Sequence, residues 1–201
     1  MKEKYKRSVT NLMNLYTVVI GLALSMSIVK LFGDNASLSA ANVPSILLFV
    51  AFLATIFPFY HGALQHLDEA YIENDCADGH GALMLDFILL FVHALAFVVL
   101  SLLLPNPTDF AWVFAGLLCI DVMWGFFAHF TYAPKSRTKA ELKWAIINFV
   151  TVLVIVCFIV LGDMSEDAPD ANLKISVVLV SVCLLRTMID YLWCRDFYFS
   201  E

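Results

Sequence analysis

Six apolar blocks, each about as long as a membrane-crossing helix, dominate the chain. They cover residues 10–32, 43–60, 83–104, 110–130, 144–161 and 175–193. A helix needs ~20 residues to cross a hydrocarbon layer of ~30 Å. Helix breakers separate the blocks: Gly33, Asp34 and Asn35 after the first, Pro105 and Pro107 after the third, Pro134 after the fourth, and Gly162 with Asp163 after the fifth. Pro44 falls in the first turn of the second block, where a missing N–H costs nothing. The expected fold is all-α: a polytopic integral membrane bundle of six transmembrane helices forming one domain over residues 1–201. Charged residues are 15% of the chain, against roughly 25% in soluble domains. The first block reads as a span, since no convincing small-residue cleavage site closes it.

Six spans put both termini on one side, and the distribution of Lys and Arg selects that side. Lys2, Lys4, Lys6 and Arg7 precede the first span, Lys135, Arg137, Lys139 and Lys143 lie between the fourth and fifth, and Arg195 follows the sixth. Only Lys30 and Lys174 fall on the other side. The positive-inside rule then predicts cytoplasmic termini in a cell membrane, with 33–42, 105–109 and 162–173 facing out. Under this topology the 61–81 connection is cytoplasmic and unusual, because it carries Asp68, Glu69, Glu73, Asp75 and Asp78 but no Lys or Arg.

Several function classes drop out. There is no extended basic stripe, and the pI is about 5.2, so nucleic acid is not an expected partner. The five cysteines (Cys76, Cys119, Cys157, Cys183 and Cys194) show no C-x-x-C spacing and support no disulfide framework. Phosphate-binding glycine loops, nucleophile elbows, voltage-sensor arginine repeats and carbonyl-filter sequences are all missing.

Ionisable residues inside the spans carry the functional signal, since charge in hydrocarbon is costly and usually faces a bundle interior. Asp86 lies one turn into the third span, and His93 follows seven residues later on the same face. Asp121 is eleven residues into the fourth span, about 16 Å deep at 1.5 Å per residue. His129 lies two turns beyond it on a similar face. Arg186 sits at mid-depth in the sixth span with Asp190 at i+4, a spacing suited to an ion pair. Together these six residues describe a polar pathway or switch that opens toward the cytoplasm. Each taken alone also fits a structural contact between helices.

Residues 57–80 add three histidines beneath that line. His61, His66, Asp68, Glu69, Asp75 and His80 are expected to form a cytoplasmic mouth. A His and a carboxylate at helical spacing can ligate a metal or act as an acid–base pair. A divalent metal held by His61, His66, Asp68 and His80 is one expectation, although His61-x4-His66 matches neither the H-E-x-x-H box nor the histidine boxes of membrane hydroxylases. A solvated acidic segment and a docking surface for a basic partner are the others.

Three functions fit. The first is an oligomeric pore, transporter or membrane signalling subunit, embedded among lipids as a homo-oligomer. The second is a membrane anchor or sensor for a cytoplasmic partner protein, with 61–81 and the basic 135–143 loop as docking surfaces. The third is a membrane-embedded, lipid-acting enzyme, with a metal as its possible cofactor.

Overall fold

Local punctuation sets the helix limits. In the computed structural model, which describes residues 2–33, 42–73, 80–132, 140–161 and 170–199, helix α1 runs Lys2–Phe32 and closes at Gly33. The φ of 65° at Gly33 is open to a residue without Cβ, and its N–H donates to the Val29 carbonyl at 2.9 Å. Helix α2, Val43–Leu67, begins where the Asn42 side chain accepts from the Ser45 N–H at 2.9 Å. A π-helical turn, Asp68–Glu73, continues it. Helices α3 (His80–Leu102), α4 (Pro107–Tyr132), α5 (Ala140–Leu161) and α6 (Ala171–Trp193) follow, and a short α7 (Arg195–Tyr198) ends the described chain.

Six of these helices are long and apolar enough to cross a membrane. The chain is a multi-pass membrane helical protein. Its exposed face is apolar, as lipid solvation requires: Phe130 and Leu161 are each 79% exposed. Inside, α1 packs along α3, α2 along α6, and α4 along α5. Aromatic rings lock the centre, with Phe97 edge-on to both Phe52 at 6.1 Å and Phe59 at 5.5 Å.

One end of the bundle gathers the start of α1, the end of α2, the starts of α3 and α5, and the end of α6. There the Lys6 ammonium donates to the Ile72 carbonyl at 2.9 Å, and the Lys143 ammonium to the Trp193 carbonyl at 2.8 Å. Both cations satisfy carbonyls that helix ends leave open.

The described part of the 61–81 connection starts as helix, a continuation of the second span past Tyr60. Residues 61–73 extend α2 and its π turn, and the second span reaches Ile72. The physical reason is in the sequence: no Gly or Pro interrupts 63–73, and Leu67, Ala70 and Tyr71 are buried. The fifth and sixth helices likewise begin about one turn earlier than expected, at Ala140 and Ala171. Asp75, Cys76 and Asp78 lie outside the described residues, as do the side chains of Glu73 and His80.

Candidate functional site

Four helices bring ionisable side chains to one cavity of about 40 Å³. A single buried water needs ~10–15 Å³ on that measure, so the space exceeds one water. Its wall includes His66 from α2, Asp86 and His93 from α3, Asp121 from α4, and Arg186 with Asp190 from α6. All six are at least nine-tenths buried. Tyr198 of α7 also contributes to the wall.

The groups fall into three polar clusters. Nearest the π turn, the Asp86 carboxylate accepts from Tyr71 Oη at 2.6 Å and from Trp124 Nε1 at 3.0 Å. His66 Nε2 lies 3.4 Å from Asp86 Oδ2, and His66 Nδ1 lies 3.7 Å from Glu141 Oε1. The imidazole is thus held between two carboxylates on α3 and α5, with its ring edge-on to Trp124 at 4.8 Å. Buried charges persist when partnered in this way.

Deeper in the bundle, the Arg186 Nε–H donates to Asn148 Oδ1 at 2.6 Å, and Asn148 Nδ2 donates to Asp121 Oδ2. The guanidinium also lies over the Phe59 ring, 4.8 Å from its centroid. His93 Nε2 is 3.8 Å from Asp121 Oδ1. Neither His93 Nε2 nor Arg186 Nη1 has a hydrogen-bond partner among the described residues, although both atoms are buried.

The third cluster closes the cavity from the end of α6. Trp144 Nε1 donates to Asp190 Oδ1 at 2.9 Å, and Tyr198 Oη donates to Asp190 Oδ2 at 3.1 Å. Burial, and then the Asp190 carboxylate, push the Tyr198 hydroxyl well above its usual pKa and keep it a donor. Gly62 makes this closure possible, because a Cβ there would stand 3.2 Å from both the Trp144 ring and the Tyr198 hydroxyl.

Measured against the sequence expectations, Asp86, His93, Asp121, Arg186 and Asp190 do meet at one cavity, and His66 joins them. The expected Arg186–Asp190 ion pair is replaced. Among the described residues Arg186 reaches Asp121 only through Asn148, while Asp190 turns to Trp144 and Tyr198. His129 is only half-buried, beside Phe130, and is not part of the cavity wall.

Among the described mouth residues, His61 and His66 turn to different neighbours. His61 packs its ring on Tyr198 at 4.8 Å, with Nδ1 3.4 Å from Tyr191 Oη, while His66 points to Asp86 and Glu141. Asp68 and Glu69 lie half-buried on the π turn. Among the described residues no three His, Cys, Asp or Glu side chains converge to hold a metal ion.

Sequence reasoning missed Glu141, Asn148, Trp144, Tyr71 and Tyr198. The first three were signalled: Glu141, Trp144, Asn148, Thr151 and Ile155 form the buried stripe of α5 at helical spacing. Tyr71 and Tyr198 carried no local signal, because the π turn and the fold-back of α7 position them. No family model, curated protein or solved structure matches the chain.

Proposed function

We propose that the protein is an ion-translocating membrane subunit, a small pore or transporter whose buried chamber carries a proton or a small cation. The observation that carries this reading is the convergence of three acids, two histidines and one arginine on one cavity of about 40 Å³. That volume suits waters and small ions. Ionisable groups at membrane depth are expensive to bury and are typically found along ion and proton pathways. An excess of acids over fixed cations at the wall favours a positive species.

The excess of Lys and Arg at the termini and in 135–143 supports a cytoplasmic position for the end where the His66 cluster lies. The protein then sits in a cell membrane with both termini inside. Association of several copies through the apolar outer face would complete a conducting unit. The lipid-acting enzyme is a weaker reading, supported only by the placement of His66 between two carboxylates.

Reconstitution into vesicles tests the proposal. Under an applied potential, vesicles carrying the protein should pass protons, sodium or potassium faster than protein-free vesicles. Asp121→Asn should reduce that flux at least about tenfold. Flux no greater than in protein-free vesicles, for every cation tried, overturns the reading.

A further inference from the structure

We propose that His93 and Asp121 share one exchangeable proton across the cavity, which makes the proton the species the chamber handles. The inference rests on the pathway reading above and names its ion.

The polarity of the deep cluster is fixed at its Arg end. A guanidinium only donates, so the atom of Asn148 facing Arg186 Nε must be its carbonyl oxygen. The Asn148 amide nitrogen therefore faces Asp121 and donates to Oδ2. Oδ2 is thus held as an acceptor. The remaining place for a proton on Asp121 is Oδ1, and Oδ1 is the atom that faces His93 Nε2 at 3.8 Å.

His93 supplies the other half. Its Nε2 is buried and has no hydrogen-bond partner among the described residues, a state that costs free energy unless something completes it. A separation of 3.8 Å exceeds a direct hydrogen bond and is within reach of one bridging water. Arg186 Nη1, buried and likewise unpartnered, belongs to the same wall and supplies a further donor. Movement of the proton breaks the Oδ1–H bond as the Nε2–H bond forms, directly or through that water, and involves no electron transfer.

Charge around the pair sets its protonation. Arg186 on α6 balances Asp121, while Asp190 on the same helix adds negative charge that its Trp144 and Tyr198 donors soften. From α1, Tyr16 is buried, and its hydroxyl has no hydrogen-bond partner among the described residues. Phe59 of α2 places its ring edge-on to His93 at 5.6 Å and contributes no charge. On α3, Asp86 stands two helical turns from His93, about 10 Å along the axis. It shares the same cavity with His66, which extends the titratable groups of the wall toward the π turn.

The test reads protonation, not flux. Full-length protein in lipid is titrated by difference infrared spectroscopy, and the ring nitrogens of labelled histidines are followed by magnetic resonance. A protonated-carboxyl band and the His93 ring should titrate with a common midpoint. The band should vanish in Asp121→Asn, and the His93 midpoint should move by about one unit or more, a tenfold change in proton affinity. His93→Gln provides the reverse check and should shift the carboxyl band. An unchanged His93 midpoint in Asp121→Asn, or an unchanged band in His93→Gln, overturns the shared proton. Coupled titration in a protein that passes no cation would instead leave the shared proton standing and remove the pathway.

Discussion

The Thr187 hydroxyl of α6 donates to the backbone carbonyl of Ala54 in α2. That carbonyl lacks its helical partner for a definite reason. The residue four positions on is Pro58, which has no N–H to give. In hydrocarbon no water can fill the gap, so a neighbouring helix fills it. The bond ties α2 to α6 at the residue next to Arg186 and little more than a turn from Phe59, and so fixes two walls of the chamber.

Thr187→Val removes the donor and keeps the shape. It should destabilise the protein by about 0.6–2 kcal/mol, the range for interhelical hydrogen bonds in membranes. Pro58→Ala restores an N–H for Ala54, so the same Thr187→Val change should cost less in that background. Unfolding midpoints of the four proteins in one detergent complete the double-mutant cycle. An equal cost in both backgrounds would refute the link between Pro58 and Thr187.

Close approach of α4 to α5 depends on Gly125. A Cβ there would lie 2.8 Å from the Glu141 carbonyl oxygen and 3.1 Å from the Ala145 methyl. The first neighbour is backbone and cannot swing away. Gly125→Ala should therefore cost about 1–3 kcal/mol through overpacking. Gly116→Ala on the same helix meets nothing within 4 Å and serves as the control. Thermal unfolding of both variants, measured side by side, should separate them clearly.

Legibility in the sequence followed the range of the physics involved. The spans could be read because lipid demands ~20 apolar residues at a stretch. The buried ionisable residues stood out because each breaks such a stretch. Their partners were harder to read. Arg186 and Asp190 have ion-pair spacing on one helix, yet Asn148 on α5 and the donors Trp144 and Tyr198 satisfy them instead. Those partners depend on helix packing, which no local spacing encodes. The acidity of 61–81 marks it as a connection outside the spans, and burial of Leu67, Ala70 and Tyr71 continues the second helix through its first half. Glu141 falls before the apolar block that begins at Trp144, although the polar stripe of α5 extends one turn further back.

Asp190 anchors α7. Tyr198→Phe removes one of its two aromatic donors and Trp144→Phe the other. Each change should cost about 1–3 kcal/mol, because hydrogen bonds to charged groups run stronger than neutral ones. The Tyr198 ring would keep its contact with His61. The expected signature is therefore local: faster amide exchange over 194–199, with the exchange of α2 and α4 unchanged. Uniform acceleration across all helices would contradict an anchoring role.

Asn148 is a neutral group hydrogen-bonded to both Arg186 and Asp121, and its replacement tests what it does. Asn148→Leu keeps similar volume and removes both hydrogen bonds. Arg186 Nε and Asp121 Oδ2 then lose partners in a buried setting, at a cost of about 1–3 kcal/mol or more. Asn148→Gln retains the amide on a longer stem and should recover part of the loss. The Leu variant should also change chemistry, since Asp121 Oδ2 is no longer held as an acceptor and both carboxyl oxygens become open to protons. Proton affinity at Asp121, read by its carboxyl band, should rise in Asn148→Leu and return toward the starting value in Asn148→Gln. A stability loss with no change in that band would mean that Asn148 only joins helices and does not orient the acid.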